Sequence, residues 1–406
     1  MRKQGRGSKW AAAFMIMAAT TAHAGTFRVS SNGTDSGTCG AGTEPPCATI
    51  AQAVANASDG DSIAVGPGSY AGAVVSKSLS LSSSAGTGGA VLTGGVVLAA
   101  NGIAFGKAGK GFTLAGGNPA LSIAGDDVTV RGNLFTECTV GVEVTAGSDA
   151  VVRDNSFDDC GTGISVLSAT AAQIRGNRFG YIPNTAISLG AGSSSAVVRE
   201  NRTFGPAGVG IAVDGSNHLL WRNLAHGTPG GGIASTGAPV NVELRENLVV
   251  GSSAPAFNLA TGSGWVLNRN AAVDSAGPGF YLAAGTTVAM TGNVAIGGNN
   301  VGILIMGGTD HVLEGNSSLQ NALEGLVLAS VGAGVQVSGG NLYGNGGSNC
   351  GLLNSSSSAV TTTGVYWGSA AGPGADPSDD VCGNIAAVVV NGPAGSPAKI
   401  KMPGIK

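Results

Sequence analysis

The chain has 406 residues, 71 of them glycine, and only 11% are charged, with 20 Lys+Arg against 23 Asp+Glu for a net charge of −3. Charge this sparse speaks against nucleic-acid binding and against electrostatic attachment to a membrane surface. Glycine this frequent speaks against a helical chain, because each glycine in a helix interior costs roughly 1 kcal/mol relative to alanine.

Residues 1–24 place Arg2, Lys3, Arg6 and Lys9 ahead of an apolar stretch from Trp10 to Ala19 and the small-residue triplet Ala22-His23-Ala24. This order predicts a secretory signal peptide, its apolar run being too short to span a bilayer. Cleavage after Ala24 removes four basic residues and no acidic one, taking the net charge from −3 to −7. No later segment reads as a transmembrane helix. Export to the periplasm, the cell surface or the medium is expected, and cysteines in such a protein read as oxidised pairs. Cys39 and Cys47 bracket a Gly/Pro-rich loop and form the first expected pair. Within the segment 25–61, Ile50, Ala53, Val54 and Ala57 recur at helical spacing and predict a short helix. Such a helix would cap a stack of strands, whose open end would otherwise aggregate. Residues 71–125 are glycine-rich and strand-like, enough for two to three coils.

From Arg131 onward one turn recurs. An asparagine closes a short apolar run at positions 133, 155, 177, 201, 223, 247, 270, 293, 316 and 341, with gaps of 22, 22, 24, 22, 24, 23, 23, 23 and 25 residues. Self-similarity at this period means stacked units. Three residues before the asparagine the side chain is apolar in nine of the ten copies, Ser338 being the exception. Eight to ten residues after most of them comes an alternating triplet such as Val142-Glu143-Val144 or Ile164-Ser165-Val166, whose outer residues share one face. Each unit is therefore a few short strands joined by tight turns, with Gly and Asn supplying the positive φ of the corners. Stacked at about 4.8 Å, the apolar columns form a continuous dry core.

These residues resemble the right-handed parallel β-helix proteins of the pectin-lyase-like superfamily. The resemblance spans roughly residues 48–390 and implies an all-β solenoid of about twelve coils, occupying residues 62–390, with a short N-terminal capping helix and a tail, 391–406, that is loose or wraps the end. It also implies that the ten asparagines form an internal ladder. Asp59-Gly60-Asp61 through Tyr70 resembles the first coil that follows the cap in this family. Tyr366-Trp367-Gly368 and the Gly/Pro run 372–377 resemble a terminal motif that closes the last coil, with Asp376, Asp379 and Asp380 capping turns. Function is less constrained, since the fold hosts lyases, hydrolases, epimerases, tailspikes and adhesins.

Two further cysteine pairs are expected. Cys138 and Cys160 each lie five residues after an asparagine and so share a column in adjacent coils, within disulfide range. Cys350 and Cys382 flank the final coils. In enzymes of the resembling family the site lies on the strand after the long turn. Its middle residues here are Glu143, Ser165, Ser188, Ala212, Ala234, Asn258, Tyr281, Leu304 and Val327. No calcium-plus-arginine, Asp/His/Lys or Asp/Asp/Arg set appears among them.

The acidic candidates are Glu137, Glu143, Asp158 and Asp159, with Tyr181 in the next coil. Glu137 and Asp159 each lie four residues after an asparagine and should be neighbours, able to share a proton or hold Ca²⁺. The alternative is solvated turn residues. A basic column, Arg131, Arg153, Arg175 and Arg199 with Arg245 two coils later, should face outward and suits bidentate binding of polysaccharide carboxylates. The alternative is a structural stripe, locally neutralised by Asp154, Glu200 and Glu246, whose stems cover apolar edges. His218 and His311 share a position at the edge of the core. The expected function is an exported protein that binds or processes an acidic polysaccharide; if an enzyme, it is a lyase or hydrolase. The competing expectation is a non-catalytic surface or adhesion scaffold that binds a protein through exposed Tyr281, Leu304 and Val327. Nothing in the repeat sets an oligomeric state.

Overall fold

The computed structural model describes residues 24–205, 208–283 and 287–404. Of the expected signal peptide only Ala24 falls within them. Each coil contributes three strands, and every strand pair within the coils is parallel. The strand before the corner asparagine, as in Val151–Arg153, belongs to a first sheet of 16 strands. The strand after it, as in Arg178–Gly180, begins a second face, and a third follows, as in Thr185–Leu189. Second and third faces join into one 25-stranded sheet because the eleven-residue strands Leu134–Val144 and Ser156–Val166 run unbroken around the corner between them. Sixteen strands at about 4.8 Å make a rod roughly 70 Å long. Residues 71–125 supply two of its coils, with Ser80–Ser83 and Ala104–Phe105 in the first sheet.

Register follows the repeat. Val130, Val152, Ile174, Val198, Leu220, Leu244 and Leu267 pair one above another and are buried, while their neighbours point out. In the second sheet Phe135, Phe157 and Phe179 stack with ring centroids 4.7 and 4.9 Å apart. Their bulk explains a recurring glycine at the start of the third face. A Cβ at Gly141 would lie 2.6 Å from the Phe157 ring, and one at Gly163 would lie 2.5 Å from that of Phe179.

The first corner, between the first and second sheets, is the asparagine turn. Its residue before the asparagine takes positive φ, as in Gly132, Asp154, Gly176, Glu200, Arg222 and Glu246. All ten asparagines are buried. From Asn133 to Asn293 each side-chain amide donates to the Oδ1 of the next, ending on Asn316, as Asn223 does to Asn247 at 3.0 Å, and to a backbone carbonyl of the preceding coil, as Asn223 does to Val198 at 2.8 Å. The expected ladder of ten stops one short. Asn341 instead donates to Ser317 Oγ and to the Ala398 carbonyl, because its coil carries the longest gap and two successive positive-φ glycines, Gly339 and Gly340.

A shorter ladder opens on the other corner, where Asn321 donates to Asn345 and Asn345 to Asp379. Asp379 also accepts the Gly344 and Asn345 amides, so it ends that ladder, and burial pushes its carboxyl above the ordinary range. The same column, five residues after the corner asparagine, carries the Cys138–Cys160 disulfide, with Cα atoms 4.4 Å apart. Cys39–Cys47 and Cys350–Cys382 are also bonded.

At the start of the rod, Thr26–Val29 forms the outermost strand of the first sheet. Its free edge is covered by the Cys39–Cys47 segment, the Arg28 guanidinium donating to the Gly42 and Glu44 carbonyls. The helix Ile50–Asn56 starts on Thr49, whose hydroxyl accepts from the Gln52 amide, and buries Ile50, Ala53 and Val54 over the first coil. At the other end Trp367 is fully buried in the last coil. The tail does not wrap that end. It turns back along the first corner, where Ala398 and the Asn341 side chain exchange two hydrogen bonds of 2.8 and 3.0 Å. No helix among the described residues is long and apolar enough to cross a membrane.

Candidate functional site

Parity and register place Arg131, Arg153, Arg175 and Arg199 one above another on the outer face of the first sheet, beside the corner. Trp221 takes the next position and Arg245 the one after it. Part of this column is paired. Arg131 Nε meets Asp154 at 2.9 Å, Arg153 reaches the same carboxylate at 3.7 Å, and Arg199 meets Glu200 at 2.7 Å. Burial, with Arg131 and Arg175 on either side, holds the Arg153 guanidinium below its ordinary value. Arg175 makes no ion pair among the described residues, and its buried Nε finds no acceptor there.

Across the two-residue corner lies a second set of cations. Arg178 and Arg202 open successive strands of the second sheet and pair in register, and Arg222 occupies the positive-φ corner position of the following coil. Arg178 and Arg202 make no ion pair among the described residues. Arg178 stacks over the Phe204 ring at 4.9 Å, and Arg222 and Arg245 lie over Trp221 at 4.8 and 5.8 Å. Glu246 is the local anion. A hydrogen bond from Arg222 at 2.7 Å, with a second from the Trp221 indole, holds its carboxyl below the ordinary range.

Between these groups runs a groove of about 550 Å³ lined by Gly176, Asn177, Arg178, Glu200, Arg202, Arg222 and Gly404. It shares Gly176 and Arg178 with a neighbouring hollow of about 510 Å³ that reaches Asp154, Gly132 and Thr87. Coils spaced at about 4.8 Å thus present outward guanidinium groups in successive steps along the rod axis. Each is a planar donor fork that can take a carboxylate in two parallel hydrogen bonds. The arginines two residues before each asparagine are legible in the sequence alone; Arg178, Arg202, Trp221, Arg222 and Arg269, which reaches Glu246 at 3.7 Å, are not. Aligning the positions just before and just after each asparagine would have exposed them.

The acidic candidates gather at the second corner. Glu137 and Asp159 hold equivalent positive-φ positions in adjacent coils, since Thr136 pairs with Asp158 and Cys138 with Cys160. Tyr181 has the same conformation in the next coil and is 58% exposed. Asp158 lies beside Asp159, whereas Glu143 stands apart on the third face between Ser122 and Ser165. Among the described residues these side chains do not bring three acidic ligand atoms within 4.8 Å of one another. The group that does, Asp35 with Cys39 and Cys47, consists of a disulfide and a carboxylate that accepts from the Ala48 and Thr49 amides. Both core-edge histidines bridge coils: His218 accepts from the Ala196 amide and meets the Asp214 carbonyl at 2.8 Å, and His311 does the same with Val288 and Gly307.

One expectation is corrected. Tyr281, Leu304 and Val327 do stack in register, but the strip is not fully open: Tyr281 and Leu304 are half-buried and Val327 is buried. Val327, between Leu304 and Leu353, is only 7% exposed.

A family model for the right-handed β-helix region matches residues 77–224 and 209–365. The chain belongs to the right-handed β-helix family. Solved structures similar to this β-helix include the pectate lyase Pel9A, at 15% identity over 62% of this chain and 76% of that one, with a TM-score of 0.45. The A-module of the Azotobacter vinelandii mannuronan C-5 epimerase AlgE6 is 12% identical over 83% and 91%, with a TM-score of 0.46. Tailspike protein 3 of bacteriophage CBA120 is 12% identical over 84% and 57%, also at 0.46. No curated protein sequence matches.

Proposed function

We propose that this β-helix is an extracellular protein that binds an acidic polysaccharide lengthwise along its first corner. The observation that carries this reading is the groove lined by Arg178, Arg202 and Arg222, of which Arg178 and Arg202 make no ion pair among the described residues and Arg222 is paired with Glu246, with Glu200 the acid in its lining. A polymer with one carboxylate per sugar, extended along the rod, meets a new guanidinium at each coil. Three disulfides accord with an oxidising compartment. Processing of an acidic polymer is a second reading, favoured by Glu137 and Asp159 in equivalent positions of adjacent coils, on the second corner and not beside the groove. If Ca²⁺ takes part, Glu137 and Asp159 are the pair of carboxylates that would hold it.

The test is retention of the protein on polygalacturonate and alginate, with a neutral glucan as control, with and without Ca²⁺, while new sugar ends are measured. Arg178→Ala and Arg202→Ala should each weaken retention on the acidic polymers about tenfold, roughly 1.4 kcal/mol, and Glu137→Gln should leave it unchanged. New unsaturated or reducing ends would add a lyase or hydrolase activity. Absence of retention on both acidic polymers would overturn the proposal and leave a protein-binding scaffold.

A further inference from the structure

The tail does more than end the chain. It is tied to the rod at Ala398, through the paired hydrogen bonds with Asn341, and six residues later Gly404 lines the groove together with Arg178, Arg202 and Arg222. Six extended residues reach roughly 20 Å, most of the five coil spacings between Asn341 and the Arg222 coil, so Gly404 meets the near end of the groove while Lys399 stays close to Asn341. The corner beneath is smooth at first, because Gly292, Gly315 and Gly339 stand where other coils carry Glu200, Arg222, Glu246 and Arg269. Ile400 and Pro403 are half-buried, whereas Lys399 and Lys401 are exposed.

Charge decides what this arm is for. Residues 392–404 contain two lysines and no acid, and the groove they approach is itself cationic. A plug for an arginine groove would be acidic; two cationic walls repel unless an anion lies between them. We infer that residues 399–404 are the second wall of the polyanion site, with Gly404 at the groove of Arg178, Arg202 and Arg222, and Lys401 and Lys399 further along the corner toward Asn341, over an acidic polymer that runs lengthwise from those arginines. This rests on the polysaccharide-binding reading for the identity of the polymer, though not for its charge.

The experiment compares the intact mature protein, the double variant Lys399→Glu/Lys401→Glu and a truncation after Ser396. Each is titrated at several salt concentrations with polygalacturonate and, separately, with inorganic polyphosphate. Acetylation of Lys399 and Lys401 is followed by mass spectrometry with and without polymer. The double variant should bind polygalacturonate about fivefold or more weakly and with a shallower salt dependence, because two screened attractions are lost. Bound polymer should protect both lysines from acetylation. Unchanged affinity with unprotected lysines would overturn the inference, as would tighter binding by the truncation, which would make the arm a plug. The same effects with polyphosphate alone would uphold the arm and remove the polysaccharide reading. Binding of neither polymer would overturn both.

Discussion

The two corners of each coil meet the same geometric demand in different ways. At the first, a positive-φ residue is followed by asparagine in ten coils, and eight successive side-chain links carry the polar atoms through the core. At the second, the positive-φ residue is followed by an inward position filled by Cys138 and Cys160, then Ile182, Thr228, Ser252, Ser275, Gly298, Asn321 and Asn345. The same column is thus closed covalently near one end and by hydrogen bonds near the other. A corner that is held uniformly leaves its outer shell free to vary. The first corner bears the graded run of arginines and acids, whereas the second exposes Glu137, Asp159 and Tyr181 in three successive coils and Asp274 and Gln320 singly further along.

Breaking the uniform corner should cost most. Asn223→Ala removes the acceptor for the Asn201 amide and side chain and the donor to Val198 and Asn247, all buried. With several polar groups left unsatisfied at about 1–3 kcal/mol each, a loss of roughly 4 kcal/mol or more is expected, read as a lowered midpoint in urea. Removing the covalent closure comes next. Cys138→Ala/Cys160→Ala opens a loop with a sequence separation of 22 and should cost about 3 kcal/mol, with retention on acidic polymers unchanged because the bond lies on the other corner.

The smallest effect is a pH dependence. Burial lowers the His218 pKa from its ordinary 6.5, so the folded protein prefers the neutral ring. Its contribution is therefore complete above about pH 6.5 and is lost as pH falls through the depressed folded value. Asp379 runs the other way: its raised pKa gives a contribution complete below about 3.8 that is lost as pH rises through the folded value. His218→Gln should flatten the slope of stability against pH below 6.5. A slope that survives the substitution would place the titration elsewhere.

Much of the fold is legible in the sequence. Asn133, Asn155 and their successors announce themselves because a ladder needs the same residue at the same phase in every coil, and Cys138 and Cys160 share a phase for the same reason. Ile50, Ala53 and Val54 signal the cap because a helix has its own period. Residues used once do not repeat and so left no such signal. Asp379 ends a ladder alone, and Asn341 looks like a tenth rung while its amide is engaged by Ser317 and Ala398. Val327 alternates like an outward residue, yet its neighbours in the stack cover it.

The sequence by itself determined the coil, its period, its inward columns and its disulfide pairs, because in a solenoid these are local properties repeated at constant spacing. Only the tertiary structure decided the site. The nearness of Arg175 to Arg178 depends on how sharply the chain turns at Gly176-Asn177. The nearness of Gly404 to Arg202 joins residues about two hundred positions apart, through a tail whose path no periodicity encodes.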